Sequence, residues 1–189
     1  MSRKALIVVD LQNDFCPGGS LAVPESDKIV PIVNRLIDAF TKSGLSIYAT
    51  RDWHPPDHYS FKEQGGPWPP HCVKNTKGAT FHTDLKLPED ATIISKATSS
   101  EKDAYSGFDG TDLGSMLKMD GVESIIVCGL ATDYCVKATV IDGLQKGFHV
   151  TVVEDAIRGV NIKPNDSDKA LIEMKSAGAV IVSEKYLTL

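Results

Sequence analysis

Six short runs of aliphatic and β-branched residues punctuate the chain, at 5–9, 45–50, 92–95, 124–128, 150–154 and 179–183. Each is apolar at nearly every position, not at every second one, so a strand built from it has to be covered on both faces. Helical patterns fill most of the intervals. Ile29, Ile32, Val33, Leu36, Ile37 and Phe40 recur at helical spacing before Gly44, and Val136, Val140, Ile141 and Leu144 do so before Gly147. A third pattern, opened by Asp166 or Ser167, carries Ala170, Leu171, Met174 and Ala177 up to Gly178. This alternation predicts an α/β fold: a doubly wound, mostly parallel six-stranded sheet with helices on both faces and right-handed crossovers.

A length of 189 residues with 42% hydrophobic and 24% charged residues suits one globular domain over 1–189 with a substantial core. The exception to the regular alternation is the stretch 52–87, rich in Pro, Gly and His. It is too long for an ordinary connection, and its aromatics Trp53, Tyr59, Phe61, Trp68 and Phe81 argue for an ordered excursion over the active face. The formal charge of −5, without a basic run, argues against nucleic acid as a partner. No apolar stretch approaches the ~20 residues that cross a bilayer, and the run after Lys4 stops at Asp10, too short for a signal-peptide core. A soluble, cytoplasmic protein is expected. Cys16, Cys72, Cys128 and Cys135 form neither a CxxC pair nor a regular spacing, so a disulfide framework or zinc ribbon is not expected.

In open parallel sheets ligands bind beyond the carboxyl ends of the strands. The residues there are polar: Asp10 after the first run, Asp52 and His54 after the second, Lys96 after the third and the Gly129–Cys135 turn after the fourth. Cys135 falls at the start of a predicted helix that Thr132 or Asp133 can cap, a position that favours a thiolate and offers backbone N–H groups to an oxyanion. By residue type alone the commoner role is a buried structural one for Cys135, a strand end or turn cap for Asp10 and the solvated surface for Lys96. What favours chemistry is their company: an ammonium can hold a carboxylate that exchanges the thiol proton. Asp52 and His54, two residues apart on an extended segment, point to the same side and can share a cation, with His71 folding back as a third ligand. His58 is a competing ligand or a partner of one, and Ser60 stays open as an alternative.

Taken together these segments resemble the nicotinamidase/pyrazinamidase family within the isochorismatase-like hydrolases. The resemblance spans essentially the whole chain. It is carried by Ala5-Leu6-Ile7-Val8-Val9-Asp10-Leu11-Gln12-Asn13-Asp14-Phe15, by Arg51-Asp52-Trp53-His54-Pro55 with Trp68-Pro69-Pro70-His71-Cys72, by Ser95-Lys96, and by Gly129-Leu130-Ala131-Thr132-Asp133-Tyr134-Cys135-Val136. It implies an isochorismatase-like hydrolase fold and a metal-dependent amidohydrolase that converts nicotinamide, and pyrazinamide, to the acid and ammonia through a Cys135 thioester, in NAD salvage. Asp10 would move the proton, Lys96 would hold Asp10, and the N–H groups of Ala131 and Cys135 would receive the oxyanion. Phe15, Trp68, Tyr105, Leu130 and Ala131 would contact the substrate, with a cis peptide between Leu130 and Ala131. Asp52, His54 and His71 would hold zinc, with iron or manganese as alternatives, and His58 is the further candidate ligand. The implied partner is a small aromatic amide; a homo-oligomer stays open. A metal-free relative acting on another small amide, such as an N-carbamoyl compound, is the competing reading.

Overall fold

The computed structural model describes residues 3–189. Six strands form one sheet: β1 (Arg3–Val9), β2 (Ser46–Asp52), β3 (Thr92–Lys96), β4 (Val122–Leu130), β5 (His149–Arg158) and β6 (Val180–Val182). Their order is β3-β2-β1-β4-β5-β6 and every pairing is parallel, so the sheet is wholly parallel where a mostly parallel one was expected. Four α-helices accompany it: α1 (Val30–Lys42), α2 (Leu113–Met119), α3 (Lys137–Gln145) and α4 (Asp166–Ser176).

The unbroken apolar character of β1 has a direct structural meaning. Residues 5–9 are fully buried and divide alternately between two cores. Leu6 and Val8 pack into the core that receives Val33, Leu36, Ile37 and Phe40 of α1. Ala5, Ile7 and Val9 face the other, which receives Leu113 and Leu117 of α2, Val140 of α3 and Met174 of α4. Helices therefore cover both faces, and truncating a side chain such as Ile7 to Ala should cost ~2–5 kcal/mol. Helix α2 was not anticipated; seven residues that include Gly114 and Ser115 are too few to show a period. Strand β5 runs past the expected 150–154 because the register with β4 shifts, after which Gly129 and Leu130 pair with Ile157 and Arg158.

The chain winds outward from β1 through β2 to β3, then returns to lay β4 on the other side of β1. The β1/β4 boundary is thus the switch point, where a crevice opens beyond the carboxyl ends of the strands. The stretch 52–87 supplies Trp68 and His71 to the cavity beside this rim. Backbone bonds tie it to the segment after β1, from Asn13 N to Thr80 O (2.9 Å), Asp14 N to Gly78 O (3.0 Å) and His82 N to Leu11 O (2.9 Å). At Gly78 any Cβ would collide with the Asp14 carboxylate, so the close approach requires glycine. No helix among the described residues is long and apolar enough to cross a membrane.

Candidate active site

Asp10 leaves β1 and Cys135 lies just beyond β4, so the switch point brings them together although they are 125 positions apart in sequence. Lys96, the last residue of β3, reaches across from two strands away. Its ammonium is 2.8 Å from Asp10 Oδ2, 2.5 Å from Asp52 Oδ1, 3.1 Å from the Ala104 carbonyl and 3.5 Å from Cys135 Sγ. All four side chains are buried, Lys96 at 1% exposure. A lysine is found so deep only when paired, and here two carboxylates surround it. Asp10 is fixed from its other side by the Thr50 hydroxyl, which donates to Oδ1 at 2.7 Å.

Burial raises the Asp10 carboxyl, with Asp52 adding to that effect and Lys96 opposing it. Burial would also raise Asp52, but Lys96 and His54 hold it well below the usual carboxylate range. Lys96, for which burial alone would favour the neutral amine, is pushed well above its ordinary value by Asp10 and Asp52. It is a fixed positive charge. Burial drives the Cys135 thiol well up, and the two carboxylates push it the same way against Lys96. Burial and the carboxylates thus favour the protonated sulfur over the thiolate, and activation of such a thiol calls for a base. Asp10 stands next to it.

Cys135 sits in a single π-helical turn, Thr132–Val136, that leads into α3. The capping expectation is corrected here. Ala131 is the N-cap and no side chain caps the turn; Asp133 instead accepts the N–H groups of Val160 and Asn161. Gly129 lies so close to Val9 that a Cβ would collide with the Val9 carbonyl, and the Leu130–Ala131 peptide is cis. The N–H groups of Tyr134 and Val136 both turn back to the Ala131 carbonyl at 3.0 and 3.1 Å, fastening the turn that presents the sulfur.

Beside this group, one ligand atom each from Asp52, His54 and His71 lie within 4.8 Å of one another, and all three residues are buried. Their fit to a cation can be judged from the ring nitrogens. His54 Nδ1 donates to the Ala97 carbonyl at 3.1 Å and His71 Nδ1 to the Pro69 carbonyl at 2.8 Å, which leaves each Nε2 with a free lone pair. Among the described residues nothing within hydrogen-bonding distance satisfies His54 Nε2, although it is buried; its nearest acid, Asp52 Oδ2, is 3.6 Å away. Two oriented imidazoles, a carboxylate and an orphaned buried nitrogen suit a divalent cation. Asp10, Asp52 and Cys135 also converge within 4.8 Å, but Lys96 already supplies the positive charge there. His58 lies against His54, with ring centroids 4.2 Å apart, yet both its nitrogens are engaged: Nε2 donates to the Lys102 carbonyl (3.2 Å) and Nδ1 accepts from the Ser60 hydroxyl (2.7 Å). His58 and Ser60 thus satisfy each other and stand outside the converging set.

The cavity over Cys135 is lined by Phe15, Trp68, Tyr105 and Ala131, four of the residues that the family resemblance implied would contact substrate, together with His71 and Asp52. Leu130 does not line it and is instead wholly buried in the core beside α1. Leu21, Val23, Tyr134 and Val160 complete the wall and were not anticipated. Trp68 Nε1 donates to Tyr105 Oη at 3.2 Å, and both rings meet Tyr134, with centroids 5.3 and 5.6 Å away. Thr50 and Gln12 were also missed as partners of the site. Gln12 clasps Asp52, accepting its N–H and donating to its carbonyl, both at 2.8 Å, and donates to the Ala79 carbonyl at the same distance. A polar residue buried inside or just after an apolar strand was the available signal for both.

A buried thiol, an acid and an ammonium meet at the switch point of a wholly parallel sheet, an arrangement suited to a hydrolase. The family model described as the isochorismatase domain matches residues 4–185, and the chain belongs to that family. The nicotinamidase of Escherichia coli (strain K12) is 44% identical, over 96% of this chain and 95% of that one. The pyrazinamidase of Pyrococcus horikoshii, solved in complex with zinc, is 57% identical with a TM-score of 0.92, covering 96% of this chain and 99% of that one. PnC1 from L. infantum, solved in complex with nicotinate, is 34% identical with a TM-score of 0.91, covering 99% and 96% of the two chains.

Proposed function

We propose that this protein is a nicotinamidase: it hydrolyses the carboxamide of nicotinamide, and of pyrazinamide, to the free acid and ammonia, in the recovery of the pyridine ring for NAD. The observation that carries the reading is the buried contact of one ammonium with both the Asp10 carboxylate and the Cys135 sulfur.

Asp10 takes the Cys135 proton, and the sulfur attacks the amide carbonyl, forming a C–S bond. The negative oxygen is received by the backbone N–H groups of Ala131 and Cys135, which are fixed and need no reorganisation. Asp10 then passes the proton to the amide nitrogen, the C–N bond breaks and ammonia leaves, with a thioester remaining on Cys135. A water molecule gives its proton to Asp10 and attacks the thioester. Collapse of this second intermediate releases the acid, and Asp10 returns its proton to the sulfur. Lys96 stays charged throughout and keeps Asp10 within reach of both partners. Asp52, His54 and His71 would hold a divalent cation, zinc first, with iron and manganese also compatible with the donors; when bound it supplies a Lewis-acid site for a ring nitrogen. Phe15, Trp68, Tyr105 and Tyr134 hold the ring by its faces and edges. A metal-free amidohydrolase for N-carbamoyl compounds would leave the convergence of Asp52, His54 and His71 without a purpose. The same reading places the enzyme in the cytoplasm, where its four free cysteines remain reduced.

Ammonia release from nicotinamide tests this directly. The wild type is expected to turn over, and Cys135→Ala to release none while keeping its circular dichroism spectrum. A wild type loaded with metal yet inert on nicotinamide, or a fully active Cys135→Ala, would overturn the reading.

A further inference from the structure

The turn that presents Cys135 carries a buried acid, Asp133, that the reaction above does not use. Asp133 Oδ1 accepts the Val160 N–H at 2.9 Å and Oδ2 accepts the Asn161 N–H at 2.8 Å, so one carboxylate gathers two consecutive amides of the segment that follows β5. Val160 lines the same cavity as Tyr134 and Cys135, the two residues that follow Asp133 along the turn. The receiving segment is shaped for this attachment. At Gly159 any Cβ would collide with Ser167 Oγ and come within 3.0 Å of Asp133 Oδ1, and Asn161 adopts a left-handed φ of 53°. The Asn161 side-chain oxygen in turn accepts the Ser167 N–H at 2.9 Å, which fixes the far end of the segment to the first turn of α4.

Resting on the reading of this cavity as an amide site, we propose that Asp133 is a positioning residue that sets the distance between the Cys135 side of the cavity and its Val160 wall, and so determines how wide a ring the enzyme accepts. Hydrogen bonds to an ionised acceptor are about twice as strong as neutral ones, and two of them to adjacent amides fix both the distance and the tilt of the strip they hold. Asparagine has the same shape but one accepting oxygen. In Asp133→Asn one amide keeps its partner, while the other faces an NH₂ group that can only donate. The Val160 wall then loosens, whereas Asp10, Lys96 and Cys135 are left as they were. The cost falls on holding the ring and not on the proton transfers.

The test compares nicotinamide with a bulkier ring-substituted analogue, 5-methylnicotinamide, in the wild type, Asp133→Asn, Val160→Ala and the double variant. Asp133→Asn is expected to raise KM for nicotinamide about tenfold while changing kcat less than about threefold, and to narrow the preference for the unsubstituted ring. Val160→Ala reports on the wall itself and depends on no buried charge. It should shift the same ratio, and the double variant should be no worse than the more affected single one. Equal falls in kcat for both amides, an unchanged substrate ratio, or strictly additive effects would overturn the proposal. Amide hydrogen exchange at Val160 and Asn161 in the substrate-free protein gives a separate readout. Faster exchange in Asp133→Asn is expected and unchanged exchange refutes the anchoring, whichever amide proves to be the substrate. Failure of the wild type on nicotinamide would count against the hydrolase reading alone, and the exchange comparison would still decide this one.

Discussion

Replacing Lys96 by Met removes the ammonium but keeps an unbranched chain of similar length, leaving the buried carboxyl groups of Asp10 and Asp52 without their counter-ion. In the native protein Lys96 Nζ lies 2.8 Å from one carboxylate and 2.5 Å from the other, and the two acids are 0% and 5% exposed. Removing one member of a buried ionic cluster costs ~3–5 kcal/mol, chiefly from the uncompensated charge left behind. For a chain of this size each kcal/mol lowers Tm by ~2–4 °C, so a loss of roughly 6–20 °C is expected. With a urea m-value of ~2–3 kcal/mol/M, the midpoint should fall by about 1–2.5 M. The assay is urea and thermal unfolding followed by circular dichroism, run in chelator so that no bound cation shields Asp52. Asp10→Asn added to Lys96→Met removes one of the stranded charges and should recover part of the loss. A Lys96→Met protein that unfolds with the wild type, or a double variant no more stable than the single one, would refute the account of Lys96 as the counter-ion of both acids.

Thr50→Val deletes the 2.7 Å donor to Asp10, and kcat is expected to fall about tenfold with KM little changed, measured by steady-state ammonia release. Removing the metal, or His54→Ala, should raise KM for nicotinamide far more than for benzamide, which has no ring nitrogen; equal effects on the two would contradict the positioning role of Asp52, His54 and His71. At Asp155 burial would raise the carboxyl, but the Ser183 hydroxyl (2.6 Å) and the Glu184 N–H (2.9 Å) hold it below its ordinary value. A depressed carboxyl stabilises the fold above its unfolded pKa and loses that contribution as pH falls through its folded value. Asp155→Asn should therefore cost ~0.5–1.5 kcal/mol near neutral pH, with the gap to wild type closing below about pH 4 in urea titrations.

The strands were readable because a parallel sheet covered on both faces leaves no polar alternation to confuse, and β1 with its fully buried residues 5–9 is the clearest case. Asp10, Asp52, Lys96 and the Cys135 turn were readable as candidates for the opposite reason: each interrupts an apolar run where the sheet opens to a ligand. Other features depend on packing that no local pattern records. Val160 resembles any loop valine until Asp133 draws it over the cavity, and Thr50 looks like a strand threonine until the Asp10 carboxylate is placed against it. The capping assignment failed because Asp133, although of the right type, has its two oxygens committed to a distant segment. Leu130 was misplaced because successive side chains at a strand end point to opposite sides, and its own goes into the core.

The clasp made by Gln12 has a consequence for how this architecture can diverge. One amide side chain grips the outgoing strand at Asp52 and the returning chain at Ala79, so both feet of the long excursion are pegged to the same point beside β1. Between those feet the wall residue Trp68 can be exchanged without dragging on the sheet, provided His54 and His71 keep their places. Substrate range can thus be rewritten at single side chains, while the donors on the same stretch stay in register.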